Sequence, residues 1–275
     1  MISLAYYLQS LVRPRSNSQN LASSNMTHVA RKDYKFVYVG PKGSWTPFHS
    51  DVFGSYSWSA NVVGQKEWLF FPPGQELNLA SDGLDGSKHL FDLSALVPED
   101  APYSEELQTL VHKGREVSFY RILQDSQDVV FVPSGWYHQV TNLRDTISIN
   151  HNWFNASNCM KIYANMEGEM ARVRAEIADC KETASSPQEW EEMCQSLLNA
   201  SFGMNHRFLA HLSAHVASKR LLSYKGASDA FRAGGPVKIE LETVRDLMKL
   251  IVKEHPSDTY NSLLQELCDE IMEIL

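Results

Sequence analysis

From Tyr34 to about Trp153 the apolar residues come in short runs broken by Pro, Gly, Asp and Ser. Phe36 to Val39, Ser57 to Val63, Glu67 to Phe71, Val129 to Val132 and Thr146 to Trp153 have the length and the β-branched, aromatic content of strands. With no helical period between them, they predict an antiparallel sandwich or jelly roll. Between Pro72 and Gln127 lies an acidic stretch containing Pro and Gly, in which one helical piece is expected around Ser104 to His112. It reads as a lid or a plain connection. After about Asn158 the apolar period lengthens to ~3.6 and predicts about four or five amphipathic helices.

The boundaries of those helices are marked in the sequence. Ser186-Pro187-Gln188-Glu189 offers an N-cap hydroxyl, a proline at the first helical position and the glutamate of a capping box. Gly234-Gly235-Pro236 breaks the chain before Ile239 to Glu254, and His255-Pro256 ends that segment. The expected organisation is α+β: a β domain over 34–155, a helical region over 156–275, and a Ser-, Asn- and Arg-rich N-terminal segment, 1–33, that is poorly ordered.

Composition narrows the classes of function. The 25 Lys and Arg against 33 Asp and Glu give a net charge of -8 without long blocks of one sign, which argues against direct nucleic-acid binding. No stretch reaches the ~20 apolar residues of a membrane-spanning helix. Cys159, Cys180, Cys194 and Cys268 include no C-x-x-C pair, so a sulfur zinc site is not expected and reduced thiols point to the cytoplasm, with the nucleus as the alternative. Ile2 to Val12 makes only a weak secretory signal, because Tyr6, Tyr7, Gln9 and Ser10 interrupt it.

Chemistry concentrates at three positions. In extended chain, residues i and i+2 share a face, so His49 and Asp51 can offer an imidazole and a carboxylate to one ion. His138, at the start of another β run, supplies a third ligand if the strands face each other. Two His and one carboxylate with three positions left open form the facial triad of non-haem Fe(II) oxygen chemistry. Lys66 raises the odds of this reading. If Gly64 turns the chain, Lys66 shares a face with Trp68 and Phe70, and a cation there needs an anionic partner such as a dicarboxylic acid. Alone, it would read as a lysine snorkelling from a strand end.

These residues sit in three ordered blocks: H-S-D at 49 to 51, G-Q-K-E-W-L-F-F-P-P at 64 to 73, and P-S-G-W-Y-H-Q-V-x-N-L at 133 to 143 followed by T-I-S-I-N-H-N-W at 146 to 153. Together they make the stretch from Tyr34 to Trp153 resemble the JmjC-type 2-oxoglutarate oxygenases. The resemblance implies a double-stranded β-helix of the cupin-like, jelly-roll kind. It assigns Fe(II) to His49, Asp51 and His138, and the distal carboxylate of 2-oxoglutarate to Lys66 with help from Thr46. It places Asn152 near the cosubstrate and puts Ser59 at a position that is Asn in some relatives. Fe(II), 2-oxoglutarate and O₂ are the implied cofactors, with ascorbate as an accessory. Trp136, Phe70 and Trp153 are expected to keep the cavity dry.

The string from Asp33 to Asp51, with the helical tail, is similar to a branch of that family described as lysyl hydroxylases of a translation termination factor. A protein substrate of that kind is the implied partner. N-methyl-lysine demethylation is the alternative within the family, and a catalytically impaired isoform acting as a binding module is the alternative outside catalysis. A zinc hydrolase on the same ligands leaves Lys66 without a task. Members of the branch carry a long segment before the position of Tyr34, so this chain is expected to be N-terminally shortened and its turnover low or absent. His211-Leu-Ser-Ala-His215 lacks the glutamate of the H-E-x-x-H motif and reads as helix surface. The apolar faces Val244, Leu247, Met248, Ile251 and Leu263, Leu264, Leu267, Ile271 pack internally or form a homodimer face.

Overall fold

The computed structural model describes residues 35–79, 90, 92–228, 235–255 and 260–275. The expectation of a poorly ordered N-terminal arm falls outside them. The chain divides into two compact units, the first ending at Trp153 and the second running from Phe154 to Leu275.

The first unit holds nine strands: β1 (Lys35–Gly40), β2 (Trp45–Ser50), β3 (Tyr56–Val63), β4 (Lys66–Phe71), β5 (Ser104–His112), β6 (Arg115–Gln124), β7 (Val129–Val132), β8 (Tyr137–Asn142) and β9 (Thr146–Trp153). They form two antiparallel sheets, β1-β9-β3-β7 and β2-β8-β4-β6-β5. This is the jelly roll that the sequence pattern predicts.

β4 is buried on both faces, which is why Trp68-Leu69-Phe70-Phe71 reads as an unbroken apolar run. Alternate residues part company. Trp68 and Phe70 stack at 5.2 Å and cluster with Val132 and Val140, while Leu69 and Phe71 join Phe48, Val117, Phe119 and the connecting-segment residues Leu79, Leu93 and Val97. The segment between β4 and β5 is thus part of the core of the larger sheet's outer side. Gln124, fully buried, ties the sheets together: its Oε1 accepts from Trp68 Nε1 at 2.8 Å, and its Nε2 donates to the Ser59 carbonyl at 2.7 Å.

Ser104 to His112 is a strand, not the expected helical piece. It is an edge strand, so Leu107 and Val111 stay exposed and only Leu110 is buried. The hairpin to β6 turns at Lys113-Gly114, both at positive φ (49° and 75°), a two-residue turn matched to strand twist.

The second unit contains five α-helices among the described residues: α1 (Cys159–Glu176), α2 (Pro187–Phe202), α3 (His206–Lys225), α4 (Pro236–Glu254) and α5 (Asn261–Ile274). Ser186 caps α2 by accepting from Glu189 N–H at 3.1 Å, but the Glu189 carboxylate reaches Ser185 N–H, one residue before the cap. α4 begins at Pro236, a turn earlier than the pattern suggests. Val244, Leu247, Met248 and Ile251 of α4 and Leu264, Leu267 and Ile271 of α5 are buried inside the unit, whereas Leu263 is exposed. No helix among the described residues is long and apolar enough to cross a membrane.

The β3–β4 turn fixes where Lys66 enters the structure. Gly64 has φ +92°, and a Cβ there would lie 2.1 Å from the Asp145 carbonyl oxygen. Gly64→Ala therefore combines a left-handed backbone with a backbone collision, and a loss of at least ~2 kcal/mol is expected, read as a lowered midpoint in urea unfolding.

Candidate metal centre and cofactor pocket

β2 and β8 pair with His49 directly opposite His138, across a register shift between Thr46 and His49. The two imidazoles come to a centroid separation of 4.4 Å. Asp51 follows β2 in extended conformation (φ -60°, ψ 151°), so its side chain keeps to the His49 face although the strand has ended. One donor atom from each of His49, Asp51 and His138 lies within 4.8 Å of the others.

The protonation of both rings is set by the backbone. His49 Nδ1 faces the Pro47 carbonyl at 2.6 Å, and His138 Nδ1 faces the Trp136 carbonyl at 3.2 Å. A carbonyl only accepts, so each Nδ1 carries the proton and each Nε2 presents its lone pair. His138 is also buried, and burial, followed by the neighbouring His49, pushes its pKa down to about 4. Its ring is neutral at physiological pH, the form a metal ligand needs.

A second cluster in the helical unit shows the opposite arrangement. Glu167, His206 and His255 also bring donor atoms within 4.8 Å of one another. Here Gln195 Oε1 accepts from His206 N–H at 3.2 Å, so Gln195 Nε2 is the group that donates to His206 Nδ1, at 2.9 Å. With Nδ1 an acceptor, the His206 proton sits on Nε2 and is given to the Glu167 carboxylate. Burial pushes the Glu167 pKa up, but the hydrogen bond from His206 and the nearby His255 imidazole, its Nε2 3.5 Å away, overcome it and hold the carboxyl well below its usual range. This is a hydrogen-bond relay between helices, and it differs from the first cluster by a tautomer.

The first cluster lines a cavity of about 560 Å³ between the sheets, inside the ~300–1,000 Å³ range of small-molecule sites. Lys66 opens into it and is only 5% exposed. Its Nζ donates to Ser148 Oγ at 2.6 Å, and among the described residues no carboxylate pairs with it. Burial lowers its pKa from 10.5 to about 8, so the ammonium persists near neutrality without a counter-charge. A donor set of two imidazoles and one carboxylate, beside a buried ammonium that no carboxylate among the described residues pairs with, fits a divalent metal together with a small anion.

The remaining expected residues divide. Thr46 and Asn152 line the cavity. Thr46 Oγ1 accepts from Val140 N–H at 3.3 Å, and Asn152 Nδ2 donates to Ser55 Oγ at 3.1 Å. Ser59 is fully buried but does not line the cavity. Its hydroxyl donates to Asn150 Oδ1 at 2.9 Å, so Asn150 is the residue that faces the site. Phe36, Tyr38, Trp45 and Trp68 are the aromatic residues that line the cavity, in place of the expected trio. Phe70 and Trp136 pack in the cluster around Trp68, and Trp153, odd-numbered on β9, falls on the outer face with Tyr56 and Phe131. Ser57, Ser148 and Asn150 went unanticipated. Their signal was alternation: Ser57, Ser59 and Asn61 on β3 and Ser148, Asn150 and Asn152 on β9 place polar residues at every second position.

A family model described as "JmjC domain, hydroxylase" matches residues 36–153. Residues 36–153 of this chain thus form a JmjC domain. It is 40% identical over 208 residues to the "2-oxoglutarate and iron-dependent oxygenase JMJD4 homolog" of Drosophila melanogaster, covering 76% of this chain and 44% of the relative. To the "2-oxoglutarate and iron-dependent oxygenase JMJD4" of Homo sapiens it is 39% identical over 204 residues, covering 74% and 46%. To the "Arginine-specific demethylase JMJ20" of Arabidopsis thaliana it is 40% identical over 177 residues, covering 64% and 35%. The chain spans less than half the length of each of these relatives. The JmjC match coincides with the β unit, and both the cavity and the His49, Asp51, His138 cluster lie inside it.

If the first cluster is the metal centre, His49→Ala, Asp51→Ala or His138→Ala should weaken divalent metal binding by at least ~100-fold while leaving far-UV circular dichroism unchanged. Glu167→Gln should leave metal binding untouched. Anaerobic Fe(II) or Co(II) titration reads both.

Proposed function

We propose that this chain binds Fe(II) through His49, Asp51 and His138 and uses 2-oxoglutarate, anchored by Lys66, to hydroxylate a protein side chain. The observation that carries the reading is the shared cavity: three donors converge at one place, and a buried ammonium with no counter-charge among the described residues stands at another. A metal site alone does not account for Lys66. A dicarboxylate that chelates the metal at one end and meets Lys66 at the other accounts for both. Bound iron would supply, with O₂, the oxidative decarboxylation of 2-oxoglutarate to succinate and CO₂ and the insertion of one oxygen atom into a substrate C–H bond.

The protein's own share is placement and exclusion. The Pro47 and Trp136 carbonyls fix both imidazoles with Nε2 toward the site. Lys66, steadied by Ser148, and the hydroxyl of Thr46, which uses its lone pair on Val140 N–H, offer donors to the far carboxylate. Asn150 spends its Oδ1 on Ser59 and keeps its amide protons for the cavity. Trp68, 2% exposed, and Val140 keep water from that side.

The finer reading is lysyl hydroxylation of a translation termination factor. It is supported by the resemblance of the string from Asp33 to Asp51 and by the relatives named as JMJD4 oxygenases. Demethylation is the second reading, favoured by the relative named as an arginine-specific demethylase. The purified chain, given Fe(II), 2-oxoglutarate, ascorbate and a termination-factor peptide, should produce succinate, and the peptide should gain one oxygen atom on lysine. Loss of a methyl group as formaldehyde would instead establish demethylation. Succinate at background with metal bound would leave a binding module.

Lys66 gives a pH signature. Its native ammonium is present below about 8 and lost above it, so 2-oxoglutarate affinity should fall as pH rises from 7 to 9. Lys66→Arg, which stays charged throughout that range, should flatten the profile, and Lys66→Ala should raise the 2-oxoglutarate requirement by roughly 10- to 100-fold at neutral pH. Isothermal titration with Mn(II)-loaded protein measures all three.

A further inference from the structure

The two oxygens of the Asp51 carboxylate are not equivalent. Oδ2 accepts from Ser57 Oγ at 2.6 Å, the short distance of a hydroxyl bound to a carboxylate. Ser57 is the one side-chain hydrogen-bond partner of this carboxylate among the described residues, and it is 4% exposed on the cavity-facing side of β3. The bond spans a tight turn. Asp51 precedes a short 3-10 segment, Val52–Gly54, in which Phe53 adopts φ 61°, a conformation costing a non-glycine residue of order 1–3 kcal/mol. The turn brings the start of β3 back under the carboxylate, and Ser57 uses that approach.

We propose that Ser57 is a positioning residue that keeps Asp51 a one-oxygen ligand. The inference rests on the functional reading above and concerns the coordination count. Two imidazoles and one carboxylate oxygen leave three positions on a six-coordinate ion. A chelating 2-oxoglutarate would need two of them, leaving a single position for the co-reactant. A carboxylate bound through both oxygens would occupy the last, and with Oδ2 held by Ser57 only Oδ1 remains free. The hydrogen bond also restrains rotation of the carboxylate, which fixes the orientation of Oδ1 ahead of metal binding.

Co(II) serves as the probe, since its visible bands report coordination without turnover. Ser57→Thr keeps the hydroxyl, and Ser57→Val has nearly the shape of threonine without it. The threonine variant should retain wild-type affinity and spectrum. The valine variant should bind Co(II) about 10- to 100-fold more weakly, with altered bands and weaker uptake of 2-oxoglutarate by the Co(II)-loaded protein. Ser57→Ala repeats the comparison without added bulk, and thermal melting of the metal-free proteins shows that each is folded. Valine and alanine variants that match wild type in affinity and spectrum overturn the role of Ser57 while the metal reading stands. A wild-type protein that takes up no Co(II) overturns both.

Discussion

Lys66 is the constraint on which the β unit's interior is arranged. An ammonium at the buried end of β4, held by a single serine hydroxyl, is costly unless the space around it is polar and an anion can enter. The smaller sheet supplies that polarity. Its central strands β3 and β9 turn Ser57, Ser59, Asn61, Ser148, Asn150 and Asn152 inward, while Val37, Val39, Ile147 and Ile149 point outward and remain exposed. The usual hydrophobic-in arrangement of a half-buried sheet is reversed there. The apolar burial that such a sheet would provide is found on the far side of the larger sheet, where the β4–β5 connection covers Phe48, Leu69, Phe71 and Phe119. The space between the sheets is thereby kept as a pocket.

The two histidine clusters show how little separates a ligand set from a structural network. Both contain two imidazoles and a carboxylate, and both bring one donor atom from each residue within 4.8 Å of the others. What differs is the partner of the other ring nitrogen. A backbone carbonyl on Nδ1 of His49 and His138 sends the lone pair of Nε2 into the cavity, whereas the Gln195 amide on Nδ1 of His206 forces the Nε2 proton toward Glu167. Proximity of donor types is common in proteins. The tautomer, fixed by neighbours of no chemical reactivity, decides what the cluster can hold.

Strands with clear alternation or unbroken apolar runs were legible one at a time, as were helices with marked ends such as Ser186-Pro187. β5 and β6 were not, because the apolar spacing of an exposed edge strand resembles that of a helix and the Lys113-Gly114 turn carries only one glycine. His49, Asp51, His138 and Lys66 stood out because their residue types are costly or chemically specific at those positions. Ser57 and Ser148 did not, since a serine every second residue reads equally well as a solvated face.

The linear order of residues was enough to establish the jelly-roll class, the helical tail and the residue types able to hold a metal, because strand and helix periods, turn residues and ligand chemistry are local properties. Which face of β3 and β9 turns inward, which strands meet at His49 and His138, and which nitrogen of each ring is bare depend on contacts between segments far apart along the chain. Only the packed sheets decide these, since a side chain's direction and a proton's location are set by what lies across from them.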